Sequence, residues 1–432
     1  MRISQPTLSR ALRTLGQDLI TIGAARSIQY LIQDPARQTL RAPVYRVSPE
    51  GQVSEIGTLL PVCPEGFVMQ QIDGQRVHTP GLPWWLFDTR PQGYLGRAFN
   101  QRYGAQLGLP ARLDDWNDSH VLRALMLQGS DLPGNLLVGQ AARDLFVNAA
   151  APQPVPEQGK PQAYAELAAA AARGELAGSS AGGEQPKFTA YVETSAAGPA
   201  HVIVKFSAQA DSPDSPDSAV SPVPQRWRDL LAAEHLALEV LHAHGLPASR
   251  SALYEHQGQR FLEVCRFDRI GPSGRRALFS LAALDAEFVG SGLAWPQVCQ
   301  ALARAGVITR EAVELSEVLW AFGTLIGNTD MHGGNLSFMS EPGRPCEMAP
   351  AYDMTCMAFA PTAGGNLAFR PLSLHISSAV PAGAWHQALD AAQDFVARLQ
   401  GSEALSGAFG PCVEALVAHV AEAGERIGRL MA

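Results

Sequence analysis

Gly327-Asn328-Thr329-Asp330-Met331-His332-Gly333-Gly334-Asn335, running into the apolar 336–339, is the stretch whose reading decides the fold. A second acidic stretch, Ala349-Pro350-Ala351-Tyr352-Asp353, follows closely. Together they offer two carboxylates, an amide and an imidazole among glycines. A buried core has no use for so many polar groups, because each costs free energy unless it is paired. Metal-assisted phosphoryl transfer does use them. Asp330 would accept a proton from an attacking hydroxyl, Asn335 would give Mg2+ a neutral oxygen and Asp353 an anionic one. The spacing alone also fits a polar loop whose Asp and Asn satisfy turn amides and whose His332 supports its neighbours.

The upstream half of the chain favours the first reading. Val202-Ile203-Val204-Lys205-Phe206 plants a lysine in an apolar strand, where its charge needs an anion. A helix is expected over 227–244, with Glu234 its best-placed acid. A kinase lobe pairs such a lysine with such a glutamate and turns it toward nucleotide phosphates. Phe261-Leu262-Glu263-Val264-Cys265-Arg266-Phe267-Asp268-Arg269 reads as a strand and hinge on which an adenine rests. Gly178-Ser179-Ser180-Ala181-Gly182-Gly183-Glu184-Gln185-Pro186-Lys187 precedes a strand-like 188–192. Its small residues let backbone N–H groups close on phosphate oxygens, although a plain hairpin turn has the same look. Lys205, Glu234, the hinge, Asp330, Asn335 and Asp353 follow one another in the chain order of a two-lobed kinase. That order carries more than any single motif.

The 432 residues suggest about three domains at ~150 residues each. A formal charge of −8 argues against a nucleic-acid coat, though not against one local basic face. The six cysteines are scattered without a Cys-x-x-Cys pair, so neither a zinc site nor a disulfide framework is expected. With no run near ~20 apolar residues and no leader-like N-terminus, the expected compartment is a reducing cytoplasm, with no membrane partner.

The first forty residues have their own character. Residues 4–16 read as a helix with Leu8, Leu12 and Leu15 on one face, and 19–23 and 27–32 as strands around a basic turn holding Arg26. A helix followed by a β-wing is the pattern of a winged helix-turn-helix. Gln5, Thr7, Ser9, Arg10, Arg13 and Arg26 are its candidate DNA contacts. Three residues precede Ser4, so the expected unit is partial; an amphipathic helix and hairpin packed on the rest of the chain is the other reading. From 44 to 148 short strands and turns alternate with two expected helices, and Trp84-Trp85-Leu86-Phe87 reads as a core anchor. A Pro-rich connector at 151–156 marks a boundary, an Asp-Ser-Pro repeat within 207–225 reads as disordered, and beyond 280 the spacing is helical.

The set 179–187, 204–206, 265–269, 328–335 and 349–353 resembles the HipA family of serine/threonine kinases, which includes the toxins of HipBA toxin–antitoxin modules. The N-terminal segment looks like that of the YjjJ (HipH) branch, in which a DNA-binding motif is fused to the kinase-like chain. The resemblance implies an α+β, two-lobed, protein-kinase-like fold. A strand-rich N-terminal lobe and a helical C-terminal lobe would divide as 43–150, 151–280 and 281–432, behind a winged-helix-like 1–42. It implies ATP and Mg2+ between the lobes. Ser180, Ala181, Gly182, Gly183, Gln185 and Lys187 would cover the phosphates, Lys205 with Glu234 would hold them, and His332 would lie nearby. Cys265, Arg266 and Phe267 would meet adenine, Asp330 would be the base, and Asn335 and Asp353 would hold the metal. Ser179 or Ser180 would be the site of autophosphorylation, where an added dianion repels ATP. A protein substrate such as a translation factor, and an antitoxin, are the further partners implied.

Three departures from the family pattern stand out: Glu184-Gln185-Pro186-Lys187 is a residue longer than Gln-Glu-Lys, Cys265 replaces a hinge glutamate, and Gly333-Gly334 replaces a basic residue. Two other classes use the same residues. In a DNA-acting metal enzyme of nuclease type, Asp330, His332 and Asp353 would hold the metal. In a transcriptional regulator, the kinase-like part would only sense nucleotide.

Overall fold

The computed structural model describes residues 5–23, 27–175, 183–194, 198–209, 222–341, 343–362, 364–368 and 371–430, with side chains from residue 10 onward. Helix α1 (Gln5–Leu15) leads into a hairpin of β1 (Leu19–Ile22) and β2 (Gln29–Gln33). Next come β3 (Ala42–Val47), the long β4 (Val53–Cys63), β5 (Phe67–Gln71), β6 (Arg76–Thr79) and β7 (Leu136–Val138). β4 is long enough to pair with β3 and then β2 along one edge and with β5 along the other, so the hairpin shares a sheet with the strands of 43–150. Alternation along β4 splits its side chains between two cores. Leu59 packs with Phe67, Phe99, Leu122 and Leu125 beneath α2 (Gly93–Tyr103) and α3 (Asp118–Gln128), whereas Leu60 and Val62 pack with Ile20 and Val68 on the opposite face. Asn117 caps α3 with a reciprocal His120 bond, and α4 (Gln140–Val147) follows β7.

The next lobe begins with α5 (Lys160–Ala172). It continues through β8 (Lys187–Val192), β9 (Ala200–Phe206), α6 (Pro222–Ala243), β10 (Ser251–His256) and β11 (Gln259–Cys265). The strands form an antiparallel sheet in the order β10-β11-β9-β8. Tyr164 and Ala168 of α5 pack against Phe188, Val204 and Phe261 on one face, while Leu231 of α6 packs against Leu262 and Val264 on the other. That two-sided burial explains why β9 and β11 read as nearly continuous apolar runs.

After the short hairpin β12 (Arg269–Ile270) and β13 (Gly274–Arg275), the chain enters the helical lobe. There β14 (Ala277–Ser280), β15 (Ser337–Ser340) and β16 (Glu347–Met348) make a small sheet under α7 (Leu281–Phe288), α8 (Trp295–Arg304), α9 (Arg310–Leu325), α10 (Ala382–Gln400) and α11 (Gly410–Ile427). One large core, with Trp295, Phe322, Phe338, Trp385 and Phe395, holds these helices together. No helix of the described residues is long and apolar enough to cross a membrane.

A buried ion network fastens the first domain to the exit of β11. Asp268 accepts from Arg266 at 3.0 Å and from Arg269 at 2.6 Å, and Asp131 of the first domain accepts from Arg269 at 2.6 Å. The Arg275 guanidinium lies 4.5 Å from the Phe146 ring. Burial would raise the Asp131 carboxyl's pKa, but the Arg266 and Arg269 charges outweigh it and hold that pKa well below the usual range.

Candidate active site

A cleft of about 500 Å³ lies between the four-stranded sheet and the β14–β16 sheet. Lys205 enters it from β9, whose apolar neighbours Val204 and Phe206 anchor the strand in the core. Its Nζ donates to both Glu234 oxygens, at 2.7 and 2.9 Å, and to the Asp353 carboxylate. Glu234 sits on the buried face of α6 and also accepts from Thr355 Oγ1 at 3.0 Å. Burial alone would strip the proton from Lys205, but the Asp353 and Glu234 charges more than restore it, so its pKa stands above the ordinary lysine value. Asp353 is half-buried, and Lys205 and Lys187 keep its carboxyl pKa low. Its backbone has φ +57°, a left-handed conformation uncommon outside glycine, asparagine and aspartate.

Lys187 stands directly across from Lys205 in the β8–β9 register and also lines the cleft. Burial and the neighbouring Lys205 ammonium push its pKa down to about 8.

The loop 327–335 is held by its own polar groups and by bonds from neighbouring segments. Asn328 Oδ1 accepts from the Asp330 N–H at 3.0 Å, and Asn328 Nδ2 donates to the Asp353 carbonyl, tying the two acidic stretches together. Asn335 Nδ2 donates to the Asp330 carbonyl at 2.9 Å, while its Oδ1 receives nothing from the described residues. His332 Nδ1 accepts from the Gly334 N–H at 3.0 Å, and the Trp295 indole N–H donates to the His332 carbonyl at 3.0 Å. Gly333 presses against the start of α7, where a Cβ would stand 3.0 Å from the Ala282 nitrogen. His332 and Asn335 line the cleft; the Asp330 side chain does not, and stands half-exposed beside His332.

Cys265, Arg266 and Phe267 form the wall at the end of β11. The Cys265 and Arg266 N–H groups are already donated to the Arg250 and His201 carbonyls, whereas the Phe267 N–H is unengaged among the described residues. The Arg266 guanidinium points into the Asp268–Asp131 network. Gly183 lines the cleft and its carbonyl accepts from the Tyr94 N–H at 3.0 Å; Gln185 is not a lining residue. Ser179, Ser180, Ala181 and Gly182 lie outside the described residues.

Several lining residues had not been singled out from the sequence. Phe87, Asp88, Gln92 and Gly93 come from the first domain, and Ser280, Ser337 and Tyr352 from the helical lobe. Phe87 belongs to the aromatic run read as core; Leu86 is in fact buried there, but Phe87 is exposed toward the cleft. Tyr352 stood inside the quoted Ala349–Asp353 stretch, and its hydroxyl donates to the Gly334 carbonyl at 2.8 Å. Only that adjacency to Asp353 could have flagged it.

Of the candidate DNA contacts, Arg10 and Arg13 are exposed on α1; Arg26 and the side chains of Gln5, Thr7 and Ser9 lie outside the described residues. Arg37, another arginine of this segment, is tied to Asp34 at 2.6 Å and lies over the Phe67 ring.

Comparison with known proteins bears on all of this. A model of the HipA-like C-terminal domain matches residues 179–420, and one of the YjjJ-like toxin middle domain matches 38–147. Toxin YjjJ of Escherichia coli (strain K12) is 37% identical over 433 residues, covering 100% of this chain and 95% of that protein. The chain belongs to the HipA family, in its YjjJ-like toxin branch. HipA of Shewanella oneidensis MR-1, solved in complex with HipB and operator DNA, superposes with a TM-score of 0.55 at 16% identity, over 90% of this chain and 99% of its own. The α+β, two-lobed, kinase-like architecture of HipA is therefore the architecture of this chain.

Asn335 and Asp353 are the residues of the cleft that could hold a hard cation. Asn335 Oδ1 and the Asp353 carboxylate are oxygen donors, and two protein ligands fit Mg2+, which keeps waters and takes phosphate oxygens for the rest. Among the described residues no three His, Cys, Asp or Glu side chains cluster as an all-protein metal site would need, and Asp330, His332 and Asp353 do not form one.

Proposed function

We propose that the chain is an ATP-dependent kinase that phosphorylates serine or threonine on a protein, with toxin-like action. The observation that supports this best is the placement of Lys205 between Glu234 of α6 and Asp353, in one cleft with Asn335. The triad joins residues far apart in the chain around a single ammonium. It has no evident purely structural use, because a buried ion pair seldom gains stability over apolar packing.

In this reading Glu234 holds Lys205 extended, and the Lys205 and Lys187 charges receive the nucleotide's phosphates. Mg2+ held by Asn335 and Asp353 would offset phosphate charge as it develops. The Phe267 N–H is the donor left to meet an adenine edge, and the Cys265 side chain supplies apolar wall rather than charge. Asp330, half-exposed beside His332 with its main chain fixed by Asn328 and Asn335, would take the proton of a protein hydroxyl arriving from outside. Autophosphorylation on Ser179 or Ser180 would set two added charges beside those of ATP. Arg10 and Arg13 would contact DNA phosphates. The relative solved with HipB and operator DNA supports an antitoxin or DNA partner here.

The test is phosphosite mapping by mass spectrometry after incubation with MgATP. Phosphoserine in the native chain and none in Asp330→Ala is the expected outcome. No incorporation, on itself or on any protein of a cell extract, would refute the proposal.

A further inference from the structure

Asp88 is a half-buried carboxylate lining the cleft that the kinase reading leaves without a task. It comes from the first domain, just after the buried Leu86, and lines the cleft beside Phe87, Pro133, Leu278 and Tyr352. Ser280 grips both of its oxygens. The Ser280 N–H donates to Oδ2 at 2.7 Å and the hydroxyl to Oδ1 at 2.5 Å. Among the described residues it forms no ion pair. A carboxylate has about four acceptor positions, and two remain.

A half-buried anion with spare acceptor capacity, no donor of its own and no cation among the described residues constrains what can sit against it. A phosphate or a carbonyl oxygen would be repelled, and an unsatisfied buried carboxylate is costly. The lysines that define the phosphate end of the cleft, Lys187 and Lys205, are matched instead to Asp353 and Glu234. The cleft that Asp88 lines is largely apolar, with Phe87, Pro133, Val264, Phe267 and Leu278 among its lining, which suits a sugar or a base.

We propose that Asp88 reads the nucleoside half of the bound nucleotide by accepting a hydrogen bond from a neutral donor, either a ribose hydroxyl or the exocyclic amine of adenine. This rests on the nucleotide-binding reading above and extends it: the first domain contributes a specificity residue to the cleft. The bracing by Ser280 is what makes it selective, because a carboxylate fixed at both oxygens cannot swing to follow a misplaced partner.

The test is calorimetric titration of the full chain and of Asp88→Asn with the Mg2+ complexes of ATP, 2′-deoxy-ATP, 3′-deoxy-ATP and purine riboside triphosphate. The native chain should bind one of the three analogues roughly tenfold or more weakly than ATP, as loss of a hydrogen bond to a charged group requires. In Asp88→Asn that preference should fall to near unity, with ATP weakened to the level of that analogue. A native chain that prefers ATP over none of them would overturn the proposal. So would an Asp88→Asn chain that keeps the native ratios or weakens all four nucleotides equally, since Asp88 would then only brace Ser280. These ratios are taken within one preparation, so partial unfolding cannot imitate them. Failure of the native chain to bind any nucleotide would instead remove the kinase reading, and this inference with it.

Discussion

Two residues lining the cleft are held in states they would not choose alone. Asp353 is one, with its left-handed backbone. Asparagine tolerates that conformation and alanine does not, so Asp353→Asn and Asp353→Ala should both lose Mg2+-dependent nucleotide binding. Alanine should unfold more easily by about 1 kcal/mol, read from denaturant midpoints. Lys187 is the other, with its pKa at about 8 against 10.5 for a free lysine. Between those values the unfolded chain binds the extra proton, so the folded state gains stability as pH rises through that window. Nucleotide affinity should run the other way. Phosphates favour the charged ammonium, so binding should weaken as pH rises through 8, and Lys187→Arg should flatten the profile between pH 7 and 9 in titrations with MgATP.

Among the elements, the exit of β11 shows why some of the site was legible in the sequence and some was not. Asp330, Asn335 and Asp353 stand out because polar residues cluster locally among glycines; Lys205 stands out because a charge breaks an apolar strand. Nothing local marks Asp88, which acquires its place only when the first domain docks on Ser280, 192 positions along the chain. Arg266 looks like a hinge residue by its position, yet its guanidinium serves the Asp268–Asp131 network, a pairing set by tertiary packing alone. That network makes its own prediction. Asp131 is itself partly exposed, so solvent screens part of its contribution, and Asp131→Ala, which leaves buried guanidinium groups around Asp268 alone, should destabilise the fold by about 1–2 kcal/mol in denaturant unfolding. Because the Asp131 carboxyl has a depressed pKa, its contribution is present above the ordinary carboxylate range and is lost as pH falls below it. The native chain should therefore lose stability toward acid more steeply than Asp131→Ala.

At the scale of the whole molecule, three bodies of chain surround one cavity: the lobe of the four-stranded sheet brings the lysines and Glu234, the helical lobe Asn335 and Asp353, and the first domain Asp88 and Gly93. The kinase order of the motifs was readable along the chain; the third wall was not, because it depends on how one domain packs on two others. The N-terminal hairpin belongs to this body through β4, whereas α1 presents Arg10 and Arg13 outward. Replacing both arginines by alanine should weaken DNA retention in a salt-dependent shift assay and leave MgATP affinity unchanged. The central claim, that a single cleft grips a triphosphate and its magnesium, is tested most directly by calorimetric titration of ATP with and without Mg2+ into the native chain, Lys205→Ala and Asp353→Asn. Binding that needs Mg2+ in the native chain and is lost by at least roughly tenfold in each variant is the predicted result. Nucleotide binding indifferent to both substitutions would contradict it.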